Sequence, residues 1–260
     1  MKFKEEAILR HDSYINESKL NLLKFSELVG ERKVSIYSAN LEGIGLAKRL
    51  KILGFKIRGF IDSRTYKNNN KKNIPVLHPD FFWKNSSPKQ DVLIIATKHR
   101  NFKKIVSDEA NKFGFKKGKD IIYPLELCNF FPTIEVAGKC NLFCRTCDMG
   151  LPNANKGKGH MSISLFKLII DKLSREIPFI NSVALYIWGE PLLNKNLSEI
   201  IRICKSYGIA TEISTNLNFP KYLEEVIDAE PEQIVLPCAG TGEIYERGRT
   251  GGQWSKFLDG

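Results

Sequence analysis

The chain has 260 residues, with 40 Lys+Arg against 29 Asp+Glu, a net charge of +11 and a pI of about 9.3. Its 42% hydrophobic and 27% charged residues exclude a disordered chain, and at ~100–200 residues per domain one or two domains fit. No apolar run approaches the ~18 residues of a membrane span; the longest strand-like run is Val92 to Ala96. The stretch Met1 to Glu6 lacks the apolar segment of a signal peptide, so a cytoplasmic location is expected, with no membrane partner. Basic runs at 67–72 and 116–119 carry no interleaved aromatics. They read as solvated surface, and nucleic acid is not expected as a partner, although anionic ligands stay open.

In chain order, residues 4–29 carry apolar side chains at helical spacing and stop at Gly30. Strands and helices then alternate. Val34–Tyr37 reads as a strand, Gly43–Leu53 as a helix and Lys56–Ile61 as a strand. After an Asn/Lys loop, Ile74–Leu77 is a short edge piece because it contains Pro75. Asp91–Thr97 is a central strand, Phe102–Phe113 a helix and Asp120–Tyr123 a last strand. Such alternation predicts a parallel, doubly wound sheet over 31–123. Residues 124–132 break the pattern and are expected to be a linker.

A second alternation follows over 133–260. Strands are expected at Thr133–Ala137, Ser182–Ile187, Ala210–Thr215 and Gln233–Leu236. Helices are expected at Ser162–Ser174, Leu197–Tyr207, Pro220–Ala229 and Gly242–Leu258. This run of βα units is compatible with part of a parallel barrel.

The first half offers Ser38-Ala39-Asn40-Leu41-Glu42-Gly43 where a dinucleotide fold carries G-x-G-x-x-G, and Asp62 where a ribose-binding carboxylate would end the second strand. Of the three glycines only Gly43 is kept. With Gly59 to Asp62, Pro75 to Leu77 and Val92 to Thr97, the region resembles the Rossmann-like N-terminal domains of sugar- and polysaccharide-modifying proteins. A scaffold whose nucleotide site has decayed and a working site both fit, and weak or no NAD binding is expected.

Six cysteines are present, at 128, 140, 144, 147, 204 and 238. In a reducing compartment, clustered thiols read as metal ligands. Cys140, Cys144 and Cys147 form C-x3-C-x2-C on the loop after an expected strand, where barrel enzymes keep their chemistry. Three thiolates can hold three irons of a 4Fe–4S cluster. Zinc is the alternative, with His160 or Asp148 as a fourth ligand. Cys204 sits among isoleucines and reads as core, Cys128 as structural, and Cys238 lies at the end of the fourth strand.

Three further features follow in order: Gly189-Glu190-Pro191 after the second strand, Ser214-Thr215-Asn216 after the third, and the stretch from Thr241 to Gly252. Together with the cysteines they resemble the radical S-adenosylmethionine (radical SAM) superfamily over 133–260. The resemblance implies an enzyme in which Cys140, Cys144 and Cys147 bind a 4Fe–4S cluster and S-adenosylmethionine occupies the open iron. Reductive cleavage would then yield a 5′-deoxyadenosyl radical that abstracts hydrogen. It further implies that Glu190, with Gly189 and Pro191, meets the cofactor's ammonium. Ser214 and Asn216 would meet its ribose, and Arg249 or Arg247 its carboxylate. A one-electron reductase or flavodoxin-type donor is the implied partner. Thr146 and Trp188 depart from the family pattern, which expects an aromatic and a glycine there. Only four βα units are counted, so the core looks truncated, and slow or undetectable cofactor cleavage is expected of these residues alone. The substrate reads as a sugar, nucleotide or peptide. A non-catalytic or assembly protein keeping a zinc or Fe–S centre is the other reading.

Overall fold

The computed structural model describes residues 2–63, 69–71, 73–97, 99–148 and 159–260. These fall into two compact units, Met1–Phe130 with Asp171–Asn181 and Tyr207–Ile209, and Phe131–Ile170 with Ser182–Ser206 and Ala210–Gly260.

The first unit begins with helix α1 (Lys2–Val29). It continues through β1 (Lys33–Tyr37), α2 (Leu41–Ile52), β2 (Ile57–Ile61), β3 (Asn69–Lys71), β4 (Ile74–Leu77), α3 (Pro79–Asn85), β5 (Asp91–Ile95), α4 (Arg100–Lys112), β6 (Ile121–Ile122) and α5 (Pro124–Leu127). The sheet order is β3-β4-β2-β1-β5-β6, parallel throughout except for β3, which pairs antiparallel with β4. The chain winds outward from β1 in one direction, then returns to β5 on its other side. That reversal is the doubly wound pattern the alternation predicts. The strands bury as continuous apolar runs, and every residue of β5 is buried. Beside them pack Phe82, Trp83, Val106, Ala110 and Phe115.

Three elements here escape sequence reading. Part of the expected Asn/Lys loop is strand β3, while residues 67, 68 and 72 lie outside the described ones. Helix α3 is too short for its periodicity to show, yet His78 caps it and Pro79 opens it. The expected linker also contains helix α5, and Cys128 at its end is buried with its thiol 4.0 Å from the Tyr14 hydroxyl. Burial pushes the Cys128 thiol up.

The turn into α2 keeps the tight geometry of a glycine-rich loop without its glycines. Ser38 adopts φ +88°, and a Cβ on Gly43 would stand 2.2 Å from the Ser38 carbonyl oxygen. Asn40 completes the turn: its Oδ1 accepts from Gly43 N at 2.8 Å and its Nδ2 donates to the Ala96 carbonyl at 2.9 Å. That cap starts α2 earlier than the apolar spacing predicts. Asn40→Ala should cost about 1–2 kcal/mol of stability, read from urea unfolding; an unchanged midpoint would show that the cap carries no weight. Arg49, buried on α2, donates to the carbonyls of Ser174, Pro178 and Tyr207 at 2.8, 2.6 and 2.9 Å, and its burial lowers its pKa.

In the second unit, α6 (Ile163–Glu176, shared with the first), β7 (Ser182–Ala184), α7 (Leu197–Ser206), β8 (Ala210–Ser214), α8 (Leu223–Asp228), β9 (Gln233–Val235), α9 (Glu243–Gly248) and α10 (Trp254–Asp259) follow one another. Strands β7, β8 and β9 form a parallel sheet in chain order, as βα units require. Cys204 is fully buried on α7, as a core residue.

Three expectations need correction. Thr133–Ala137 is no ladder strand: Thr133 bridges Ala184 and Ala137 bridges His160, each as an isolated pair. The expected strand Ser182–Ile187 ends at Ala184, because the chain then turns toward Gly189. The expected helix Gly242–Leu258 is two helices. Gly252 N turns back to the Arg249 carbonyl at 2.7 Å, and Glu246 accepts from Trp254 N at 2.9 Å, so the chain breaks between them. The fold is α/β with parallel sheets; a closed barrel is not formed by the described strands. Among the described residues no helix is long and apolar enough to cross a membrane.

Candidate functional site

The candidate site lies in the second unit, at the C-terminal ends of β7 and β8 and on the loop after Ala137. A Cβ on Gly189 would stand 1.6 Å from the Ala137 carbonyl oxygen and 2.9 Å from that of Lys139. Only glycine lets these backbones approach so closely. Glu190 N donates to the Lys139 carbonyl at 2.8 Å, joining the turn to the base of the cysteine loop. Glu135 secures the turn from the other side, its Oε2 accepting from Trp188 N at 2.6 Å and Gly189 N at 3.1 Å. Pro191 then opens a single 3-10 turn over 191–193.

Glu190 is 3% exposed. Its Oε1 accepts from Leu192 N at 3.1 Å, and its Oε2 from Asn216 N at 2.8 Å. The Thr215 hydroxyl also donates to it. Burial raises its pKa; those donors and the Arg249 charge pull the other way. The carboxylate therefore clamps the end of β7 to the end of β8.

Asn216 extends the clamp. Its Nδ2 donates to Asn141 Oδ1 at 3.0 Å and lies 3.8 Å from Cys140 Sγ. Its Oδ1 accepts from Asn218 N at 2.8 Å. Asn218 Nδ2 in turn donates to the Tyr245 hydroxyl at 2.8 Å, which donates to the Asn216 carbonyl at 3.2 Å. Gln253 N donates to Asn218 Oδ1 at 2.6 Å, and Phe143 N to the Thr250 carbonyl at 2.8 Å. The segment after α9 is thus stitched to the cysteine loop.

All six cysteines are free thiols. Cys144 is buried, and Cys140 and Cys147 are half-buried. Leu142 N donates to Cys140 Sγ at 3.5 Å, and Arg249 Nη1 lies 3.9 Å from Cys144 Sγ while its Nη2 donates to the Pro237 carbonyl at 2.9 Å. Burial pushes the Cys140 thiol up; among the smaller causes, Glu190, Cys144 and Cys147 act in the same direction. N–H donors thus face the sulfurs of Cys140 and Cys144. That donor chemistry fits a thiolate-bound group. As free thiols they stand apart: among the described residues no three His, Cys, Asp or Glu side chains form a set that could hold a metal ion. Asp148 and His160, the candidate fourth zinc ligands, are exposed. A cavity of about 550 Å³ opens beside Cys144 and Cys147, walled by Arg145, Arg247 and Arg249.

The structure thus gathers Cys140, Gly189, Glu190 and Asn216 into one hydrogen-bonded assembly, with Arg249 beside Cys144. Ser214 ends β8, in register with Val235. Cys238 is exposed, its thiol donating to the Gly240 carbonyl at 3.0 Å. Glu135, Thr215, Asn218 and Tyr245 are missed by sequence reading. Thr215 lies inside the quoted Ser-Thr-Asn, Tyr245 inside the quoted stretch from Thr241 to Gly252 and Glu135 inside an expected strand, but nothing local marks Asn218.

No family model matches the chain. A 74-residue segment is 31% identical to an S-adenosyl-L-methionine-dependent 2-deoxy-scyllo-inosamine dehydrogenase of Niallia circulans, spanning 28% of this chain and 29% of that protein. Among solved structures, BtrN in complex with AdoMet and 2-DOIA is similar at 26% identity and a TM-score of 0.37, over 41% of this chain and 44% of that one. Streptococcus suis SuiB bound to the precursor peptide SuiA gives 15% identity and 0.42, over 83% and 40%. The chain thus covers less than half of each. These likenesses show no family for this chain.

Proposed function

We propose that the second unit is the core of a radical SAM enzyme acting on a small, sugar-like substrate. The observation that carries the reading is the hydrogen-bonded convergence of three separate motifs: Asn216 reaches both Cys140 at 3.8 Å and Glu190 at 2.8 Å. Short motifs that matched by chance would have no reason to meet. The 31% identical segment of a protein named for S-adenosyl-L-methionine and 2-deoxy-scyllo-inosamine supports the same cofactor and favours a cyclitol- or sugar-type substrate over a peptide.

In this reading Cys140, Cys144 and Cys147 would hold a 4Fe–4S cluster. When bound, that group supplies one electron to S-adenosylmethionine, whose carbon–sulfur bond breaks to give methionine and a hydrogen-abstracting 5′-deoxyadenosyl radical. The protein's own residues orient and shield. Asn216 sets an amide against Cys140, and Arg249 sets a guanidinium beside Cys144 that can meet a carboxylate. Glu190 is held by protein donors, so its first duty is to fix the turn, and its spare lone pairs would meet the ammonium. Ser214 and Asn216 would meet the ribose. A flavodoxin-type one-electron donor would complete the system.

The test is equilibrium binding of S-adenosylmethionine to the anaerobically reconstituted chain. Saturable binding that Cys144→Ala abolishes is expected. Binding that survives Cys144→Ala, or none by iron-loaded protein, would overturn the reading.

A further inference from the structure

One face of the second sheet differs in charge from the rest of the molecule. Successive residues of a strand alternate between faces. On one face of this sheet Val183 and Ile213 are buried, and Ile134, Val136 and Leu185 in the flanking segments are buried too. Register places Thr133 beside Ala184, Ala184 beside Glu212 and Glu212 beside Gln233 on the opposite face. Next along come Ser214 beside Val235, with Glu135 two residues on from Thr133 and Tyr186 two on from Ala184, both outside the paired strands. Glu135, Tyr186, Glu212, Ser214 and Val235 are all half-buried.

Among the described residues, these positions hold two carboxylates and no Lys or Arg, in a chain of net charge +11. The Tyr186 hydroxyl donates to Glu212 Oε1. Neither Glu135 nor Glu212 has an ion-pair partner among the described residues. Glu135 accepts two backbone N–H groups through Oε2, yet its Oε1 is shielded and accepts no hydrogen bond. A shielded carboxylate oxygen without a donor is costly, and a ligand N–H or O–H would relieve it.

We propose that this face takes a small polyhydroxylated amine, its ammonium set against the Glu135 and Glu212 carboxylates, and rejects phosphorylated substrates. The inference rests on the radical SAM reading only in treating this face as a substrate site. At the described positions of this face a phosphate would meet two negative charges and no cation, which disfavours a nucleotide or sugar phosphate. The ammonium satisfies the carboxylates. Ser214 and the Gln233 amide at the face's edge supply single hydrogen bonds suited to separate hydroxyls. The Tyr186 hydroxyl, by donating to Glu212, fixes the direction in which that carboxylate faces.

The experiment is calorimetric binding of D-glucosamine, D-glucose, D-glucosamine 6-phosphate and Nα-acetyl-lysinamide to the 260-residue chain, with and without Glu212→Gln. Gln keeps the size and an acceptor for Tyr186, so the fold should hold, checked by its melting profile. Glucosamine should bind about tenfold tighter than glucose, the value of one charge-assisted hydrogen bond. Its phosphate and the lysine amide should bind more weakly than glucosamine, and Glu212→Gln should erase the preference over glucose. Equal affinities, tighter binding of the phosphate or the lysine amide, an unmoved preference in Glu212→Gln, or no binding would overturn the proposal. No iron or S-adenosylmethionine enters this measurement. An amine preference in a chain that never takes up a cluster would therefore sink the radical SAM reading alone, and a cluster without the preference would sink this inference alone.

Discussion

Gly189→Ala should destabilise the second unit by at least about 3 kcal/mol, the upper range for overpacking, because nothing around the new methyl can yield. The obstacles at 1.6, 2.7 and 2.9 Å are all backbone atoms of Ala137 and Lys139. Side chains could change rotamer; two crossing backbones can only move apart. That movement would break Glu190 N to the Lys139 carbonyl and displace the base of the cysteine loop. Trp188, half exposed next door, reports the change in a urea titration followed by fluorescence. The variant should also lose the ability to take up iron. A midpoint within about 0.5 kcal/mol of the parent, the range of neutral surface changes, would show that the turn adapts.

Glu190→Ala should cost about 3–5 kcal/mol, the range for removing one partner from a buried charged network. The donors Leu192 N, Asn216 N and the Thr215 hydroxyl would all lose their acceptor. Glu190→Gln should cost less, since it keeps one acceptor oxygen and no charge. The two carboxyl states also give a pH signature. Burial holds the folded-state pKa above the ordinary carboxylate value of 4.5. The folded form therefore keeps its proton to higher pH than the unfolded form. The parent's stability relative to Glu190→Gln is greatest below pH 4.5 and is lost as pH rises through the raised value. A gap between the two that is flat with pH would show that the carboxyl titrates alike in both states.

The residues that carry local signals were legible. C-x3-C-x2-C, Gly189-Glu190-Pro191 and Ser214-Thr215-Asn216 each sit at the end of an expected strand, where periodicity and turn residues mark the place. The doubly wound sheet was legible for the same reason: its buried strands are short apolar runs separated by helical ones. The hidden features depend on contacts distant in sequence. Glu135 reads as one polar residue of an expected strand, and only the fold brings the N–H groups of 188 and 189 to its carboxylate. The break near residue 250 satisfies every local helix preference except Gly251 and Gly252. It exists because Phe143 and Asn218 take backbone groups of this segment as partners. Strand 133–137 fails as a ladder because pairing depends on a neighbour, and Ala184 offers it a single bridge.

The central claim is that Cys140, Cys144 and Cys147 hold iron and sulfide. The most direct measurement is the iron, sulfide and zinc content of the chain after anaerobic reconstitution, beside a variant with all three cysteines replaced by alanine. The account predicts about four irons and four sulfides per chain in the parent, as thiolate-bound 4Fe–4S clusters require, and essentially none in the variant. Stoichiometric, tightly held zinc with no iron uptake, or iron and sulfide retained when all three cysteines are gone, would contradict it.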